Sequence, residues 1–238
     1  MNPLAYNPII CALDTQEVAE ATEVAREVMP HVGAVKLGLE FFTANGAAGV
    51  KEITKLGVPV FLDLKFHDIP NTVAKAIAAT ASMNMFMMTV HTSGGRAMLQ
   101  AAIDASDRVA QTTGKERPLV IGVTLLTSLD QDDISIIGFQ DTVQDQVLRL
   151  ADLAQSAGLD GVVCSPFEIA PIRKALGDDL TLVVPGIRPA SAAAGDQKRI
   201  LTPREALERG ADYLVIGRPI TESADRANAA QTILSELR

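Results

Sequence analysis

The chain has 238 residues, of which 47% are apolar and only 4% aromatic, with no tryptophan and a formal net charge of −8. That length and apolar share support a sizeable core, which must be built mainly from Ala, Val, Ile and Leu, an α/β rather than a β-sandwich composition. The negative balance excludes non-specific nucleic-acid binding, which needs basic surface, but leaves room for an anionic small molecule in a locally positive pocket. No apolar stretch reaches membrane-spanning length, so no membrane association is expected. The N-terminus lacks a basic region followed by an apolar run, so no signal peptide is expected either. Cys11 and Cys164 each fall in an apolar run without close spacing, which reads as buried free thiols in a reducing, cytoplasmic compartment.

Eight short apolar runs follow one another: residues 9–14, 34–40, 59–65, 85–94, 118–127, 161–166, 181–189 and 213–221. Helix-like stretches separate them. In residues 15–29, Val18, Ala21, Ala25 and Val28 recur at three- and four-residue spacing. Residues 144–157 are amphipathic and stop at Gly158. In TPREALERG, Thr202 reads as an N-cap, Pro203 as the first helical residue, Glu205 as the partner in a capping box and Gly210 as the C-terminal stop. Strands alternating with helices predict a parallel sheet, and eight such units in this length fit a single (β/α)₈ barrel domain over residues 1–238. A doubly wound sheet is the rival, but it brings a Gly-rich turn after the first strand, where CALDTQEV stands. The longest irregular stretches are residues 128–142 and 190–201, both following strands and so placed on the face of the barrel that carries function.

Functional groups of a barrel collect at the C-terminal ends of its strands. Asp14 ends the first run. In the second, alternation puts Ala34, Lys36 and Gly38 on one face, with Val35, Leu37 and Leu39 toward the helices, so Lys36 faces the barrel interior. In FLDLKFHDIPNTV, residues 61–73, Asp63 and Lys65 share the inward face while Leu62 and Leu64 pack outward. Asp68 lies past the strand, where a loop could aim it back or lend it to a neighbouring subunit. A purely structural ion-pair network is the alternative. Four desolvated charges, Lys36, Asp63, Lys65 and Asp68, cost several kcal/mol each unless well paired, so stability alone seldom selects them over apolar packing.

Residues 186–189 (GIRP) and 216–221 (IGRPIT) end the seventh and eighth runs, where such barrels commonly bind phosphate. Glycine lets backbone N–H groups approach an anion, and Arg188 and Arg218 can add a charged fork. Two such turns at adjacent strand ends favour a phosphate site over ordinary surface turns. The histidines, His31, His67 and His91, lack metal-ligand spacing. His67 reads as a packing or hydrogen-bonding residue, and His91 more as packing than as pocket lining. Methionines 83, 85, 87 and 88 read as core filling, and Asp130, Asp132 and Asp133 as a solvated loop. No Walker loop, Gly-x-Ser-x-Gly or dinucleotide fingerprint occurs.

Taken together, CALD, VKLGLE, FLDLKFHDIPNTV, TVHTSGG, GVTLLTS, VVCSP, VPGIRP, GDQKR and VIGRPIT, in that order, make the chain resemble the orotidine 5′-phosphate decarboxylases of the compact bacterial type. The resemblance runs essentially end to end, and Asp-x-Lys-x-x-Asp followed by Ile-Pro-Asn-Thr is its most specific part. It implies decarboxylation of orotidine 5′-monophosphate to UMP, the last step of de novo pyrimidine nucleotide synthesis, without metal or cofactor. It implies Lys65 as proton donor to C6, within a network of Lys36, Asp63 and Asp68. It further implies a homodimer with shared active sites, Asp68 and Thr72 crossing from the partner and Ile69 among the substrate-binding residues. Asp14 and Lys36 should hold ribose hydroxyls, and Thr127 or Ser128 should reach the pyrimidine. Gln197 should bridge base and phosphate, Arg218 and the Gly217 N–H should bind phosphate, and Arg188 should support that end. Phosphate binding would drive closure of the loop at 190–201. Two other functions stay open. One is a magnesium-dependent 3-keto-sugar-phosphate decarboxylase or hexulose-phosphate synthase, a branch in which a carboxylate replaces the second-strand lysine. The other is a barrel that binds a phosphate ligand without turnover.

Overall fold

Each of the eight apolar runs supplies one strand, and in the computed structural model, which describes residues 7–189 and 201–237, the strands close into a parallel barrel in chain order. They are β1 (Ile9–Leu13), β2 (Ala34–Leu37), β3 (Val60–Phe66), β4 (Met87–His91), β5 (Leu119–Val123), β6 (Gly161–Val163), β7 (Thr181–Pro185) and β8 (Tyr213–Ile216). Closure comes from β1 pairing with β8, Ile10 opposite Val215, so the sheet has no free edge. Except for β3, the strands stop earlier than the apolar runs, whose ends form loops or helix starts on the C-terminal rim.

Helices α1 (Val18–Val28), α2 (Leu39–Thr54), α3 (Pro70–Ala81) and α4 (Arg96–Thr113) follow β1 to β4. After β5 come α5 (Gln131–Ile136) and α6 (Val143–Ser156), then α7 (Ile169–Leu176), α8 (Pro203–Glu208), α9 (Arg218–Thr221) and α10 (Arg226–Glu236). The capping box expected at Thr202 is present: its side chain accepts from the Glu205 N–H, and Glu205 Oε2 accepts from the Thr202 N–H at 2.9 Å. One expectation needs correction. Residues 128–142 are not wholly irregular, and Asp130 and Asp133 are not merely solvated. They form the capping box that starts α5, where carboxylates meet the positive end of a helix.

Alternation divides the core into two shells. Ile10, Ala12, Ala34, Phe61, Met87 and Ile121 fill the barrel, while Leu37, Leu62, Met88, Val120 and Leu182 pack outward against the helices. The N-terminal end of the barrel is tied by ion pairs in addition to apolar contacts such as that between Phe86 and Tyr213. Arg117 grips both oxygens of Asp160, at 2.7 and 2.8 Å, and Asp160 Oδ2 also accepts the Val120 N–H. Arg173 on α7 donates to Asp212 Oδ2 at 2.6 Å and to the Gly210 carbonyl. All of these groups precede their strands, which leaves the opposite rim free for chemistry.

Candidate active site

The inward face of β1 to β3 at the C-terminal rim carries Asp14, Lys36, Asp63 and Lys65. Lys36 and Asp63 have side chains only 12% exposed. Lys65 Nζ donates to Asp63 Oδ2 at 2.9 Å. Lys36 Nζ lies 3.8 Å from the same oxygen and 3.4 Å from Asp14 Oδ1. The result is a line of alternating charge, Asp14, Lys36, Asp63, Lys65, in which each interior group faces two opposite charges. Such pairing offsets the desolvation that would make a lone buried charge costly.

Small residues make room for this line. A Cβ on Gly38 would stand 3.2 Å from Lys36 Nζ, and one on Gly217 would stand 3.5 Å from Ala12 Cβ and 3.8 Å from Asp14 Oδ2. Gly217 therefore brings the start of α9, with Arg218, against the Asp14 end of the line. Behind it, burial pushes the Cys11 thiol up to about 12, with Asp14 adding to the effect and Lys36 opposing it.

Lys65 does not reach Asp63 by plain alternation, and here the sequence expectation is refined. β3 pairs regularly with β4 at Phe61 with Met87 and Leu62 with Met88, then jumps to Phe66 with Val90. Four steps along β3 thus match two along β4, and within this bulge Lys65 takes φ +51°. Left-handed backbone at a side chain of this size costs about 1–2 kcal/mol and persists only where its surroundings enforce it. Thr89, fully buried on β4, is the residue missed by sequence reasoning. Its Oγ1 accepts the Lys65 backbone N–H at 2.9 Å and donates to Asp63 Oδ1 at 2.9 Å. The available signal was its place on the inward face of β4 between Met87 and His91.

Lys36, Asp63, Lys65 and Thr127 line a cavity of about 240 Å³, closed on its apolar side by Phe61, Val183 and Val215. A neighbouring cavity of about 570 Å³ shares Leu125, Leu126, Thr127 and Pro185 with it and reaches Ser165 and Glu168. Of the pair Thr127 and Ser128, Thr127 is the one that lines these cavities. Glu168 accepts the Ser165 N–H at 2.6 Å, and burial raises its carboxyl above the usual range. The His67 and His91 rings lie 5.4 Å apart, and burial, then His67, then Lys65 lower the pKa of His91.

Other expected site residues are placed apart from the charge line. Asp68 is exposed and accepts its neighbour's N–H, from Ile69, at 2.7 Å. Ile69 is 67% exposed, and Thr72 is exposed in the first turn of α3. The Arg188 N–H donates to the Leu201 carbonyl, so Arg188 marks the near end of the segment that carries Gln197. Residues 190–200, Gln197 among them, lie outside the described residues, and with them the expected closing segment. Among the described residues, no three His, Cys, Asp or Glu side chains are grouped to hold a metal ion, and no helix is long and apolar enough to cross a membrane. Between Asp14 and Asp63 the positive charge is that of Lys36 itself.

Known proteins share this chain's sequence and fold over nearly its whole length. The orotidine 5′-phosphate decarboxylase of Paramagnetospirillum magneticum is 53% identical over 97% of this chain and 98% of its own. That of Rhodospirillum rubrum is 50% identical over 100% of this chain and 96% of its own. The crystal structure of orotidine 5′-phosphate decarboxylase from Lactobacillus acidophilus superposes with a TM-score of 0.87 at 36% identity, covering 98% of this chain and 99% of that one. Residues 7–233 match the model of the orotidine 5′-phosphate decarboxylase / HUMPS family, and the chain belongs to that family.

Proposed function

We infer that this site decarboxylates orotidine 5′-monophosphate to UMP, a step of pyrimidine biosynthesis, with Lys65 as the acid. The activity is that of the family and of the relatives just named. The reading of the residues rests on one observation: Lys65 and Lys36 converge on a single Asp63 oxygen inside the barrel mouth. Breaking the bond from C6 to the carboxylate leaves the electron pair on C6, where the pyrimidine ring delocalises it poorly. An ammonium fixed beside C6 stabilises that charge as it develops, then transfers a proton to C6 as CO₂ departs. The Lys65 amine afterwards regains its proton from solvent. Asp63 keeps Lys65 charged and oriented.

Asp14 and Lys36 take the ribose hydroxyls, Thr127 faces the pyrimidine, and Arg218 with the Gly217 N–H receives the phosphate, supported by Arg188 and Gln197. Binding energy from the remote phosphate is then available to the reacting centre. Asp68, Ile69 and Thr72, exposed in the single chain, serve the site of a second copy in a homodimer. The buried Cys11 and Cys164 thiols suit a reducing cytoplasm.

Lys36 distinguishes this reading from that of a magnesium-dependent sugar-phosphate enzyme, because its ammonium occupies the space between Asp14 and Asp63 that a bridging cation would need. The test is to follow the absorbance of orotidine 5′-monophosphate in the presence of EDTA. Undiminished loss of substrate supports the reading. Activity that vanishes with EDTA and returns with magnesium overturns it, and nucleotide binding without turnover points to a scaffold alone.

A further inference from the structure

We infer that Thr89 is a positioning residue for the decarboxylation, through which one hydroxyl sets both the Asp63 carboxylate and the backbone of Lys65. The inference rests on the roles given above to Lys65 and Asp63. Thr89 Oγ1 has one proton. An ionised carboxylate can only accept and a backbone N–H can only donate, so the direction of both bonds is forced: Lys65 N–H to Oγ1, then Oγ1–H to Asp63 Oδ1. Oδ1 is thereby engaged, and Oδ2 is the oxygen left facing Lys65 at 2.9 Å and Lys36 at 3.8 Å.

The same hydroxyl repairs the bulge. Where pairing between β3 and β4 is displaced from Leu62 to Phe66, the Lys65 N–H bonds to the Thr89 side chain. The left-handed turn at Lys65 and the orientation of the carboxylate that holds its ammonium are then two results of a single group, which has no exposed surface. Ile121, opposite Thr89 on β5, belongs to the apolar barrel filling, so the β5 side of Thr89 offers no polar group to replace the hydroxyl. Buried donors and acceptors stranded in such surroundings rearrange to find partners. Here the groups that would rearrange are the Asp63 carboxylate and the Lys65 backbone, which together aim the Lys65 ammonium.

Thr89→Val removes the hydroxyl and keeps the shape, whereas Thr89→Ser keeps the hydroxyl. Each is to be compared with the wild type for kcat, KM and UMP affinity, with Lys65→Ala and Asp63→Ala measured alongside. The expected result is a kcat about 10- to 100-fold lower in Thr89→Val, with KM and UMP affinity within about 3-fold of wild type, the signature of misplaced groups rather than lost binding. Thr89→Ser should recover most of kcat. Should the valine variant not fold, Thr89→Ala against Thr89→Ser, a pair differing by one oxygen, decides the matter by the same ratio. Wild-type kcat in the variant that lacks the hydroxyl, or equal impairment with and without it, overturns the inference. Full turnover in Lys65→Ala would instead overturn the roles on which it rests.

Discussion

The Asp63 carboxylate holds Lys65 through Oδ2 alone, at 2.9 Å, because Oδ1 receives the Thr89 hydroxyl. The lysine is thus held at two points, its ammonium by Asp63 and its backbone by Thr89. A fixed charge needs no reorganisation at the moment of bond breaking, the condition under which electrostatic stabilisation is most effective.

Replacing that charge should be decisive. Lys65→Ala is expected to lower turnover at least about 1,000-fold, since it removes both the stabilising ammonium and the proton donor. UMP binding should remain largely intact, because the phosphate and ribose contacts are elsewhere. Single-turnover assays and calorimetry with UMP check this, and near-normal rates would remove Lys65 from its assigned role.

A site shared between subunits has a signature in mixtures. Lys65→Ala and Asp68→Ala subunits are each expected to be inactive alone. After subunit exchange, half of randomly paired dimers are hybrids, each with one intact site of two, so activity should return to about a quarter of wild type. Exchange demonstrated by mass spectrometry without any recovery would place Asp68 outside the partner's site.

Glu168 gives a prediction for stability against pH. Burial raises its carboxyl above the usual range, so the folded state binds its proton more tightly than the unfolded chain does. Its contribution to stability is present below the unfolded value and is lost as pH rises through the folded one. Glu168→Gln, which can still accept the Ser165 N–H, should therefore gain stability over wild type near about pH 7.5 and lose that advantage near about pH 4. Thermal melts at the two pH values measure it, and an advantage confined to acid would contradict the assignment.

Arg117 should matter for folding and not for chemistry. Arg117→Ala leaves a partly buried Asp160 without its cation, which is expected to cost about 2 kcal/mol for a pair with this much exposure. Tm should fall by about 4–8 °C, with kcat unchanged well below the transition. A change in kcat without a change in Tm would be the contrary result.

Much of this was legible in the chain itself. Lys36 and Asp63 were placed correctly because strand alternation is a strong constraint once Val35, Leu37 and Leu62 are assigned to the helix-facing layer. The capping box of α8 was readable because Thr202, Pro203 and Glu205 act locally. The short helices α5 and α9 were not, since four to six residues carry too little periodicity to register. Thr89 escaped because threonine in a strand is ordinary, and its importance arises only from a bulge that depends on how two strands meet. The expectation that Asp68 and Thr72 act across a subunit interface came from the family resemblance, because no local pattern within one chain fixes which surface another copy covers, and in the single chain both are exposed.

The ion pairs Arg117–Asp160 and Arg173–Asp212 lie at the end of the barrel remote from the lysines. Desolvation of such pairs becomes less costly as temperature rises, while hydrophobic gains level off. Substitutions that strengthen or extend these ties therefore need not disturb the spacing of Asp63 and Lys65. Heat resistance and the geometry of the charge line are thus separately adjustable, one at each mouth of the barrel.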